Sequence, residues 1–236
     1  MDKKKKIILL ICFCFFNVLL LVCFFKVRST TMLNILKKEE SELLKLDMTM
    51  DRYNRKIQSR GKYAVVEKSI KEYLDDYAVS LQDVLKEMDN STLKFALSYD
   101  NYCKDGPLFE TSLTALSKGK ENFNKKVNSL LEKGQDKSIR ENMTKRINDS
   151  YYVDLYNDFM LSDKIQATFF KNDELLLNVQ EKVNKAYDTS IAILNFLAQN
   201  KDSWKAEEGE IRFLNNDLYN QYNNYVSKLS SEKKDK

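Results

Sequence analysis

The sequence predicts an all-α protein: an N-terminal transmembrane helix followed by an elongated antiparallel helical bundle, with one small β-hairpin near residues 203–213. Three observations carry this expectation. Five glycines and a single proline, Pro107, punctuate 236 residues, far fewer than the tight turns of a sheet protein require. Apolar residues recur at three- and four-residue steps through most of the chain, the period of one helix face. Residues 203–214, SWKAEEGEIRFL, alternate with period two instead and hold the only tryptophan.

The N-terminus sets the organisation. Residues 1–6, MDKKKK, form a basic flank. Residues 7–25 are apolar except for Asn17 and would span about 28 Å as helix, close to the roughly 30 Å hydrocarbon core of a bilayer. A cleaved signal peptide fits less well, because its apolar region runs about 7 to 15 residues and ends in small residues. A lipoprotein leader needs a small residue before the lipidated cysteine, whereas Ile11 precedes Cys12 and Val22 precedes Cys23. Residues 7–25 are therefore expected to contact the lipid bilayer as a single transmembrane pass. Four lysines before the segment, against Lys26 and Arg28 after it, place the N-terminus in the cytoplasm and the remainder outside the cell membrane. Lys37 and Lys38 narrow that margin.

Charge and cysteine usage bound the rest. Residues 1–28 carry six basic residues and one acidic residue, so the other 208 residues, with 33 basic and 34 acidic, are close to neutral. A near-neutral domain lacks the positive footprint that nucleic acid requires, and no nucleic-acid partner is expected. Three of the four cysteines lie in the apolar segment, leaving Cys103 alone beyond it. The domain must then be held by packing without an internal disulfide.

Residues 29–229 read as a helical extracytoplasmic domain of about six helices, and residues 230–236 as a disordered tail. Leu43, Leu46, Met50, Tyr53 and Ile57 step as one helix face that stops at Gly61. Val66, Ile70, Tyr73, Tyr77, Leu81, Val84 and Met88 mark a second helix, and Ser91 caps a third. Asp105-Gly106-Pro107 is the clearest break, with proline presetting the first turn of the next helix. Phe109, Leu113, Leu116, Phe123, Val127 and Leu130 follow on one face, with Lys120 at the missing step, up to Gly134. Ser138 and Glu141 match a capping box, and Ser150 caps a short aromatic helix carrying Tyr152, Tyr156 and Phe159. The longest helix spans about Asp163 to Asn200, with Ile165, Phe169, Leu176, Val179, Val183, Ala186, Ile193 and Leu197 on one side.

In the period-two stretch, a turn at Glu208-Gly209 sets Trp204 opposite Phe213 and Ala206 opposite Ile211, all on one face. The expectation is a structural clasp whose apolar face docks on the longest helix and on a last helix capped by Asn215 or Asn216. Asp105-Gly106-Pro107 with Phe109, together with Asn200-Lys201, Trp204, Gly209, Ile211, Phe213 and Tyr222-Asn223, resembles uncharacterised single-pass proteins of low-GC Gram-positive bacteria with a helical extracytoplasmic domain. The resemblance implies a bacterial envelope setting and a helical fold, and brings no activity and no site residues.

No residue set points to catalysis. The chain has no histidine, which removes Ser-His-Asp and Cys-His arrangements and the commonest zinc ligand. Ser-x-x-Lys occurs at Ser59, Ser91, Ser117, Ser230 and Ser231 without companion motifs. Glycine-rich phosphate loops are absent, and a calcium loop over Asn101, Cys103 and Asp105 would place Ser112 where a bidentate carboxylate belongs. Glu39-Glu40 and Asp75-Asp76 read as solvated helix faces. Catalytic, cofactor and metal residues are thus expected to be none. The leading expectation is a non-enzymatic membrane-anchored protein that presents its bundle to a protein partner, an envelope component or a second copy of itself as a coiled coil. Two alternatives stand beside it: an enzyme with a site assembled from scattered carboxylates and lysines, and a cytoplasm-facing tether.

Overall fold

A computed structural model describes the backbone of residues 3–89 and 91–230, and the side chains of residues 15, 16, 22–24, 26–88 and 92–229. The chain is mostly helical. Its elements run α1 (Lys3–Leu43), α2 (Lys62–Lys86), a 3-10 turn at Glu87–Asp89, α3 (Ser91–Ala96), α4 (Tyr99–Lys104), α5 (Glu110–Lys133), α6 (Asp136–Thr144), α7 (Ser150–Met160), α8 (Asp163–Gln199), β1 (Trp204–Glu207), β2 (Glu210–Phe213) and α9 (Asn216–Ser230). Where a transmembrane helix and about six further helices are expected, nine α-helices stand among the described residues, α1 included. The expected membrane segment, 7–25, has most of its side chains outside the described residues, and the expected tail, 230–236, lies outside them but for the backbone of Ser230, which ends α9. Among the described residues no helix is long and apolar enough to cross a membrane.

Two compact units share the chain: Met1–Ala78 with Asp136–Gln166, and Val79–Gln135 with Ala167–Lys236. The first buries Leu36 and Leu43 of α1, Val66, Ile70 and Leu74 of α2, Ile139 and Met143 of α6, and Tyr156 and Met160 of α7. The second buries Leu116, Phe123, Val127 and Leu130 of α5 and Phe169, Leu176, Val179 and Val183 of α8. In this unit α5 and α8 run antiparallel, since Lys120 pairs with Asp188 at 2.6 Å and Asn124 bonds Asn184 and Gln180 at 2.9 and 2.8 Å. Lys120, at the missing apolar step, thus still serves the packing of α5 on α8.

The largest departure from expectation lies at residues 44–60. The helix expected from Leu43 to Ile57 does not form: α1 continues unbroken to Leu43, turns follow, and residues 51–60 carry no regular structure. The physical reason is side-chain competition for the backbone. Asp47 Oδ1 accepts from the Thr49 amide at 2.8 Å, a local turn that draws the chain out of helix. Beyond it, side chains of α2 supply the partners that a helix would have given residues 53–59.

Smaller differences concern helix starts. Pro107 does not open α5; a cis Gly106-Pro107 peptide precedes it and the helix begins at Glu110. α6 begins at Asp136, ahead of the expected capping box. Asp149, not Ser150, is the N-cap residue of α7. The hairpin register is as expected: Trp204 faces Phe213, Lys205 faces Arg212, Ala206 faces Ile211 and Glu207 faces Glu210. Glu208 and Gly209 both have positive φ, 51° and 87°, the geometry of a type I′ turn and the reason a glycine sits there.

Candidate functional site

The first unit carries a groove of about 580 Å³ between the end of α1 and α7 with the residues that follow it. Leu36 and Leu43, seven apart, fix α1 in the core at 1% and 2% exposure. The adjacent stripe, Leu33, Lys37, Glu40 and Leu44, therefore lines the groove. Across from it lie Leu155, Asp158 and Phe159 of α7, with Ser162 and Lys164 beyond. Burial pushes the Glu40 carboxyl up to about 7; Lys37 opposes the shift and Asp158 adds to it. A carboxyl half-protonated near neutral pH, flanked by apolar side chains, a second carboxylate and two lysines, suits a ligand that brings an apolar face and polar groups able to donate and accept.

Sequence reading placed Glu39-Glu40 and Asp75-Asp76 on solvated faces, and the structure corrects this for three of the four. Glu39, on α1, accepts from the Lys71 ammonium at 2.8 Å. Asp75 accepts from Arg52 Nε and Nη2 at 2.8 and 2.6 Å and from the Tyr53 and Asn54 amides at 2.8 and 3.1 Å. The Arg52 guanidinium, aided by those amides, holds Asp75 below the usual carboxylate range. Only Asp76 has an exposed position. A signal for Glu40 existed: its seven-residue offset from Leu33 and four-residue offset from Leu44 continue the α1 pattern past the apolar run.

The remaining buried polar cluster of this unit is closed. Lys71, 1% exposed, donates to Glu67 Oε1 at 2.6 Å, Glu39 Oε2 at 2.8 Å and the Lys56 carbonyl at 2.8 Å. Glu67 also accepts from the Gln58 and Ser59 amides and the Ser59 hydroxyl, the last at 2.6 Å. Burial pushes Glu67 up, but the Lys71 and Ser59 hydrogen bonds outweigh it and the carboxyl lies below its ordinary range. Every donor of the ammonium is used, so this cluster fastens residues 56–59 to α2. Of the Ser-x-x-Lys serines, Ser59 is committed to Glu67, while its Lys62 pairs with Asp149 at 2.6 Å.

In the second unit the clasp forms, with a different neighbour for its tryptophan. Trp204, 6% exposed, donates Nε1–H to the Leu197 carbonyl at 2.7 Å and stacks on Phe109, centroids 5.8 Å apart at 13°. Tyr102 meets both rings edge-on. Phe213 packs with Phe196 of α8 and with Tyr219 and Tyr222 of α9. Phe109 adopts φ 56°, a left-handed conformation that costs a bulky residue on the order of 1–2 kcal/mol, offset by complete burial. Gly106 is required by close approach: a Cβ there would strike the Tyr102 carbonyl oxygen. Gly106, Phe109, Trp204, Phe213 and Tyr222, from two segments far apart in sequence, thus converge on one aromatic cluster.

The residues considered for calcium serve the same unit structurally. Asp105 accepts from the Ser112 and Thr111 amides at 2.7 and 3.3 Å, capping α5 from a distance. Asn101 bonds the Ala96 carbonyl and accepts from the Ser112 hydroxyl, while Cys103 is exposed on α4. Among the described residues no group of three His, Cys, Asp or Glu side chains could hold a metal ion. No protein-family model, curated protein or solved structure matches the chain.

Proposed function

We propose that the protein is a single-pass membrane-anchored, non-enzymatic protein whose extracytoplasmic helical domain presents the Glu40 groove to a protein partner of the envelope. The observation that supports this most is the continuity of α1. One helix, Lys3–Leu43, carries both the apolar run 7–25 and the groove residues Leu33, Lys37 and Glu40. At 1.5 Å per residue the groove then begins about 12 Å beyond residue 25, within reach of the membrane-proximal stretch of a neighbouring protein. Such a stretch brings apolar side chains and, at headgroup level, the tyrosine and tryptophan rings enriched at membrane interfaces. The four apolar lining residues meet those side chains, and Glu40, Asp158, Lys37 and Lys164 offer hydrogen bonds of both polarities at the rim.

A photo-crosslinking residue at Ser41, which is exposed beside the groove, is expected to capture one partner in intact cells. Leu44→Glu, which places a third carboxylate at the groove edge, is expected to abolish the adduct. An adduct that survives Leu44→Glu, or that forms equally from Lys118 on α5, would refute the groove as the binding face.

A further inference from the structure

The anchor reading has a geometric consequence for the α7 end of the first unit. Ser29 lies four residues past residue 25 on the unbroken α1, about 6 Å further along its axis. The polar layer of a bilayer is roughly 5–8 Å deep on each side of the hydrocarbon core. Whatever touches Ser29 in the folded unit is therefore held at headgroup depth. Ser29 Oγ lies 2.7 Å from Tyr63 Oη. Around Tyr63 pack Tyr152 and Tyr151, with centroids 5.1 and 6.5 Å away in edge-on contact, and Tyr151 is 47% exposed. Lys62 Nζ stands 5.5 Å over the Tyr152 ring. Asp149 pairs with Lys62, so the cation arrives partly compensated. On α1 itself Phe24 and Val27 are 61% and 66% exposed, with Lys26 and Arg28 exposed beside them.

Tyr151, exposed, and Tyr152, half-buried with Lys62 over its ring, match the chemistry of the membrane interface, where amphipathic rings sit among headgroups and cations reach phosphates, while Tyr63, 5% exposed, links them to α1. Resting on the reading of 7–25 as the membrane segment, we infer that Lys62, Tyr151 and Tyr152, tied to α1 by the buried Tyr63, form a foot that seats the first unit in the headgroup layer of the bilayer that α1 enters. The occupant of this face is a lipid surface. Two helices remote in sequence, the starts of α2 and α7, supply it, and both are tied to the Ser29 level by the Tyr63 contacts. Seated this way, the unit is held against rotation about α1 and the Glu40 groove keeps a fixed height above the membrane.

The test uses the full chain in vesicles of phosphatidylcholine and phosphatidylglycerol, with Tyr151→Trp and Lys62→Trp as separate reporters. Wild-type protein, whose only tryptophan is the buried Trp204, is the reference. Each reporter is expected to add emission that lipids brominated high on the acyl chain quench by about half, with little loss from wild type. The reporters sit on different helices, so a folding defect in one leaves the other informative. Added emission that brominated lipids do not quench, in chains that alkaline carbonate fails to strip from the vesicles, overturns the foot and leaves the anchor standing. Chains that carbonate does strip overturn the anchor and the foot with it.

Discussion

Trp204 anchors the hairpin in the second unit, because its indole is buried on Phe109 and its N–H donates to the end of α8. Trp204→Ala is expected to destabilise the folded chain by about 3 kcal/mol in chemical denaturation, since it removes a large ring and leaves the Leu197 carbonyl without its donor. The native emission should be blue-shifted. Lys205, exposed on the opposite face of the hairpin, should change stability by less than about 0.5 kcal/mol when replaced by alanine. Glu40 makes a different kind of prediction. Its folded pKa, about 7, lies above the ordinary 4.5, so its contribution to stability is fully present at low pH and is lost as pH rises through 7. Glu40→Gln should be more stable than the parent at pH 8, by on the order of 1 kcal/mol after allowance for partial exposure, and the gap should close toward pH 4.5. A gap that widens on acidification would show that Glu40 is held as a carboxylate.

At the level of elements, α2 has an organising role that its own amphipathic pattern conceals. Glu67, Lys71 and Asp75, spaced by four, hold residues 52–59 through the Arg52 side chain, the Tyr53, Asn54, Gln58 and Ser59 amides and the Lys56 carbonyl. Asp75→Ala should raise hydrogen-exchange rates at Tyr53 and Asn54 by about 10- to 100-fold and leave the α8 amides unchanged. Equal acceleration in both places would mean that the segment opens only with the whole fold. The same segment explains where sequence reading succeeds and fails. α8 was legible because Ile165, Phe169, Leu176, Val179 and Val183 keep one period over its length and are all buried. The hairpin was legible because period two and a Glu-Gly turn agree. Residues 44–60 were not: Leu43, Leu46, Met50, Tyr53 and Ile57 imitate a helix face, yet Met50 is 81% exposed and Tyr53 is 1% exposed. What decides that segment is hydrogen bonding from a helix further along the chain, and an Glu-Lys-Asp ladder at four-residue spacing looks like an ordinary solvated face until its partners are seen. Glu40 lies on a readable stripe with Leu33 and Leu44, but the groove itself was hidden, because nothing in that stripe says that α7 lies across from it.

On the scale of the whole molecule, α1 carries an apolar run flanked by lysines into a near-neutral helical domain with a groove lined by Glu40, Asp158, Lys37 and Lys164 and an end that carries tyrosines. The unbroken α1 is what connects them, since a flexible linker after residue 25 would leave groove and foot without a defined height. The central claim is that this domain stands outside the membrane through which residues 7–25 pass. The most direct measurement places a cysteine at Lys205, exposed on the hairpin, in a chain whose native cysteines are replaced by serine or alanine. Intact cells are treated with a membrane-impermeant maleimide before lysis, and carbonate-washed membranes are then assayed for label. Labelling before lysis, in protein retained by the washed membranes, is the result expected; label that appears only after lysis, or protein released by the wash, would contradict it.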